Sequence, residues 1–67
     1  MWKKIYTLMV QREETAYQVS KATGISQTAF SNWKAGISKP STKNLLALAK
    51  HFKVPLEYFF EEESEVN

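Results

Sequence analysis

The sequence predicts an all-α fold, five short helices gathered in one globule. Apolar residues return at three- and four-residue steps in several stretches, no run alternates at a period of two, and glycine, proline and cap residues separate the stretches. At 67 residues the chain is expected to form one domain, near the lower size at which packing alone holds a fold. Four Phe, three Tyr and two Trp supply enough apolar bulk for a compact core. With no cysteine and a single histidine, neither disulfides nor a zinc site are available, and no cofactor or metal is expected.

Trp2, Ile5, Leu8, Met9 and Arg12 recur at helical spacing and predict a first helix from about Trp2 to Gln11. A second runs from about Thr15, whose hydroxyl caps it, to Thr23, with Val19 and Ala22 facing inward and Gly24 ending it in the left-handed region. Ile25 is the apolar residue of the turn. Ser26 caps a third helix carrying Phe30 and Trp33 on one side, and Gly36 stops it. The stretch GISKPS, with Gly36 and Pro40, reads as a loop. Ser41 or Thr42 then caps a fourth helix whose apolar stripe is Leu45, Leu48, Ala49 and Phe52. Pro55 suits a first helical position, so a fifth short helix is expected from Leu56 to about Glu62.

The net charge of +2 conceals a division of sign. Residues 1–56 hold all nine Lys and Arg with only Glu13 and Glu14, whereas the last eleven residues hold five acids. A basic body suits a phosphate-bearing partner, and an acidic end suits a face turned away from it, although charge alone favours that reading no more than ordinary solvated charges. The opening MWKKIYTLMV is superficially like a secretion signal but is too short and has no small-residue cleavage site after it. Nothing approaches the ~20 apolar residues of a membrane span. A cytoplasmic chain with no membrane contact is therefore expected.

The informative unit is TAYQVSKATGISQTAFSNWK, Thr15 to Lys34. It sets two short helices around one glycine, with small Ser20 and Ala22 where they cross and Val19, Ile25, Phe30 and Trp33 as anchors. That arrangement leaves Gln27, Thr28, Ser31 and Asn32 on the outer face of the third helix, all uncharged and all hydrogen-bonding. Amides pair with adenine N6 and N7, and a threonine methyl touches a thymine methyl, so this face suits base reading in a major groove. Lys21, Lys34, Lys39 and Lys43, with the free amides at the helix starts beside Thr15 and Ser26, suit phosphates, and the Tyr17 hydroxyl is a further candidate.

Thr15, Val19, Ser20, Gly24, Ile25, Ser26, Phe30 and Trp33, with Gly36, Pro40, Leu45, Leu48, Ala49, Val54, Leu56 and Phe59, resemble the helix-turn-helix family of phage Cro and repressor proteins, also known for xenobiotic-response-element regulators. The likeness extends from about Ile5 to Phe60. It implies a compact five-helix lambda-repressor-like DNA-binding domain over residues 1–62, its helix-turn-helix unit at about 15–35, with residues 63–67 an acidic frayed tail. It also implies base contacts from the first, second and sixth residues of the recognition helix, Gln27, Thr28 and Asn32, and phosphate contacts around Thr15, Ala16 and Lys39. Three positions depart from the pattern. Ala16 stands where many relatives have a phosphate-holding glutamine, Glu14 replaces a frequent apolar residue before the cap, and Thr23 stands where a larger aliphatic group is common.

Plainer readings compete at each position. On composition alone the Gln27–Asn32 face is more often only solvated, and its place in the whole pattern reverses that preference. Trp33 continues the Phe30 stripe and reads as a core anchor. His51 falls at the end of the fourth helix, where it is expected to meet the last carbonyls. An exposed Tyr17 and a solvating Ser31 are as common as their functional counterparts. Leu56, Phe59 and Phe60 are rich enough in apolar surface to suggest a dimer interface, with core packing equally expected.

The resulting expectation is a non-enzymatic transcriptional regulator, a repressor of prophage or mobile-element type. It would bind a double-stranded operator as a homodimer and act by excluding polymerase. The alternative is an antitoxin-like or adaptor protein whose C-terminal helix binds a protein partner. An enzyme is disfavoured because the lone histidine and the clustered acids form no site.

Overall fold

The structure, a computed structural model, describes residues 1–61. Four α-helices follow one another: α1 (Trp2–Gln11), α2 (Ala16–Thr23), α3 (Gln27–Ala35) and α4 (Thr42–Phe52). A 3-10 turn, Leu56–Phe60, completes the described chain. No strand occurs among the described residues. The expected tail at 63–67, and the expected end of the last element at Glu62, lie outside them.

The last element corrects the expectation of a fifth α-helix. Pro55 is extended (φ −69°, ψ 152°) and precedes the turn instead of opening a helix. The Tyr58 amide donates to the Pro55 carbonyl three residues back at 3.0 Å. Five residues are too few to offset the cost of nucleating an α-helix, whereas one 3-10 turn suffices to deliver Phe59 to the core.

Ile5, Leu8 and Met9 of α1 meet Phe30 and Trp33 of α3 and the α4 stripe Leu45, Leu48, Ala49 and Phe52 in one cluster. Val19, Ile25 and Phe59 complete it, so every element contributes. Within α2 only Val19 is buried, and Ala22, expected inward, is exposed. Helical geometry explains this: Ala16, Ser20 and Thr23 fall on one flank of Val19 and Ala22 on the other, and a two-turn helix turns only one flank inward.

Local chemistry fixes the helix ends. Thr15 and Gln18 form a reciprocal capping box, Thr15 Oγ1 accepting from the Gln18 amide at 3.1 Å and Gln18 Oε1 from the Thr15 amide at 2.8 Å. Ser26 and Ser41 cap α3 and α4 by accepting from the amides three residues on, each at 3.2 Å. Two helix ends use non-glycine residues with positive φ, Glu13 (φ 55°) after α1 and Lys53 (φ 59°) after α4. Both conformations carry the steric cost that glycine avoids.

His51 departs from its expected role. The α4 end is closed by the Val54 amide on the Ala49 carbonyl at 3.0 Å, so the imidazole is free for another partner. Its Nε2 lies 2.9 Å from Glu14 Oε1, and Arg12 Nε lies 3.9 Å from the same oxygen. Glu14 thus replaces the apolar staple before α2 with a polar tie to the end of α4. No helix among the described residues is long and apolar enough to cross a membrane.

Candidate nucleic-acid interface

The α2–turn–α3 unit is held from inside. Ser20 donates its hydroxyl to the Ile25 carbonyl. The Thr23 hydroxyl donates to the Val19 carbonyl at 2.7 Å and accepts from the Ile25 amide at 3.3 Å. Thr23 therefore uses a position expected to favour an aliphatic group for bonding the turn. Gly24 adopts φ +82°, and a Cβ built there would meet nothing within 4 Å. Its glycine answers to backbone angle alone and not to crowding. Phe30 and Trp33 are buried at 2% and 5% exposure, their rings 4.9 Å apart and edge-to-face at 64°, an arrangement aromatic quadrupoles favour. Trp33 is the core anchor that its spacing suggested.

This anchoring turns the other side of α3 outward. Gln27, Thr28 and Ser31 are exposed and Asn32 is half-buried. No hydrogen bond from these four side chains to another described residue is found. Four neighbouring polar side chains without partners among the described residues keep donors and acceptors that those residues do not use.

The residues expected at phosphates fall around this face unevenly. Thr15, Ala16, Ser31 and Lys34 share the rim of one groove of about 410 Å³ with Tyr6 and Val10 of α1, which sets the start of α2 beside the outer face of α3. The small Ala16 leaves that groove open. The capping box occupies both the amide and the hydroxyl of Thr15, whereas at Ser26 only the hydroxyl is engaged, so the amides without partners among the described residues are those of Ala16 and Tyr17 at α2 and of Ser26, Gln27 and Thr28 at α3. Tyr17 is exposed, with the Lys21 ammonium 5.6 Å from its ring centroid. Lys39 lines a second groove beside Gly36, Trp33 and Trp2. Lys43 is exposed on the first turn of α4 and lines neither groove.

The third set divides. Phe59 is buried at 2%, the core packing that was one of its two expected places, and Leu56 is half-buried against that core. Phe60 is 56% exposed and keeps an apolar ring at the surface. The sequence reading overlooked Gln18, although Thr15 followed three residues later by Gln18 is a capping-box signature. It also overlooked Ile37, 74% exposed beside the loop after α3, for which apolar spacing gives no signal.

A family model described as helix-turn-helix matches residues 5–59, a span that contains all of α1 to α4 except the first turn of α1. No curated protein and no solved structure gives a significant match.

Proposed function

This chain belongs to the Cro/repressor-type helix-turn-helix family of DNA-binding transcription regulators, and from that premise we propose that it represses transcription by occupying an operator as a homodimer. Prophage or mobile-element control is the setting this reading favours. The observation that carries the proposal is the outer face of α3, where Gln27, Thr28, Ser31 and Asn32 stand without hydrogen-bond partners among the described residues while Phe30 and Trp33 hold the helix from behind. A helix so held enters the major groove as a rigid body, and its outer side chains need break no hydrogen bond to another described residue before they meet base edges. Ala16, Tyr17, Lys21, Lys34, Lys39 and Lys43 supply the phosphate contacts that fix register.

Selection of bound duplexes from a random pool tests the proposal. A palindrome with half-sites ~34 Å apart supports dimeric binding. Retention of no duplex at low salt overturns the DNA reading, and a single unpaired half-site overturns the dimer. Lys39→Ala should weaken all duplexes alike and lower the salt slope by ~1.

Exposed Phe60 favours a second reading, in which the C-terminal turn meets another protein. In the dimer reading that ring packs against its counterpart, so Phe60→Ser should lower operator affinity and leave base preference unchanged. An unchanged operator affinity would favour the protein-partner reading.

A further inference from the structure

The geometry points to an operator whose half-site core consists of A·T pairs and is recognised without a guanine or cytosine contact. The inference rests on the reading of α3 as the major-groove helix and goes further by naming the class of sequence it selects. It follows from what the outer face of α3 carries and what it lacks.

Each base pair shows a distinct edge in the major groove. Guanine is read chiefly by the paired donors of arginine, or by lysine, on O6 and N7. Cytosine N4 is read by a carboxylate. The face formed by Gln27, Thr28, Ser31 and Asn32 holds none of these groups. The nearest cation on the helix is Lys34, seven residues beyond Gln27 and so ~10 Å further along the axis. It continues the Gln27–Ser31 stripe but lies on the groove rim beside Thr15 and Ala16, next to the start of α2, whose free amides suit the phosphate backbone. No acid occurs anywhere in α3.

The groups that are present favour the other pair. The Gln27 amide donates to adenine N7 and accepts from N6–H, and Asn32 offers the same paired chemistry about one and a half turns later. The Thr28 methyl suits the C5-methyl of thymine. The Ser31 hydroxyl accepts and donates and so imposes no choice. From Gln27 to Asn32 the face spans ~7.5 Å, the length of two to three stacked pairs. None of the four side chains hydrogen-bonds another described residue, so no such bond holds them away from the bases.

Replacing single atoms in the selected duplex tests the inference. Adenine becomes 7-deazaadenine, which lacks N7, and thymine becomes deoxyuridine, which lacks the methyl, at each core position in turn. The full chain, Gln27→Ala and Thr28→Ser are measured against each duplex. One 7-deazaadenine position should weaken the wild-type chain about 10-fold and Gln27→Ala hardly at all, and one deoxyuridine position should stand in the same relation to Thr28→Ser. A selected core with an invariant G·C pair, most pointedly one whose preference disappears in Lys34→Ala, overturns the inference while leaving DNA binding intact. So does equal weakening of wild type and variants by every replacement. If no duplex is retained, the major-groove reading fails and takes this inference with it.

Discussion

Helices α2 and α3 are built alike and finished differently. Each opens on a hydroxyl cap, Thr15 or Ser26, and each closes on a left-handed glycine, Gly24 or Gly36. In α2 the polar side chains turn back on the protein: Gln18 closes the capping box, Ser20 holds the Ile25 carbonyl, and Thr23 bridges Val19 and Ile25. In α3 the buried side carries large aromatic anchors, and the polar residues beyond the cap find no hydrogen-bond partner among the described residues. A hydrogen bond made inside the protein stabilises the fold and is no longer available to a ligand; one left unmade in solvent costs the fold little. The same residue types therefore serve the scaffold in α2 and stand ready for recognition in α3.

The largest effect that sharpens this contrast is expected on the inner side of α3. Phe30→Ala should destabilise the fold by about 3–5 kcal/mol, enough to abolish a cooperative melt in so small a domain. Calorimetry or denaturant unfolding would show it. A loss below about 1 kcal/mol would mean that α3 is not anchored as described.

On the outer side of α3, Gln27→Ala should cost ~1–3 kcal/mol of operator binding and leave stability within about 0.5 kcal/mol. Comparing titration with thermal melting separates the two quantities. A stability loss as large as the binding loss would break the distinction between the helices.

In α2 the balance should invert. Ser20→Ala removes a donor from a part-buried carbonyl and should cost about 1 kcal/mol of stability, with base preference in a selection unchanged. The smallest effect concerns the approach to α2. Glu13→Gly removes a side chain held at φ 55° and should stabilise by up to ~1 kcal/mol, read as a rise in Tm of a few degrees. A fall in Tm would mean that Glu13 makes a contribution its backbone conformation does not reveal.

Much of this contrast was legible in the sequence, because the features that make it are local. Gly24, Ser26, Phe30 and Trp33 announce a turn, a cap and an apolar stripe through spacing and residue type. The outward face of α3 then follows as the remainder. Three features were not legible for physical reasons. Glu14 and His51 are 37 residues apart, and their meeting depends on how α1, α2 and α4 dock. Glu13 and Lys53 take left-handed conformations that their side chains disfavour, so docking decides their backbone and propensity does not. Leu56, Phe59 and Phe60 carry equal apolar weight in sequence, and only the 3-10 turn sends Phe59 inward and Phe60 outward.

The central claim, that the outer face of α3 is the recognition surface, is tested most directly by following the backbone and side-chain amide resonances of the 15N-labelled chain as a selected duplex is added. The account predicts the largest shifts at the Gln27 and Asn32 side-chain amides and at the backbone of Gln27, Thr28 and Ser31. Smaller shifts are predicted at Ala16 and Tyr17, and none from direct contact at Val54–Leu56. Shifts centred on Phe60 and the 3-10 turn, with the α3 side-chain amides unmoved at saturation, would contradict it.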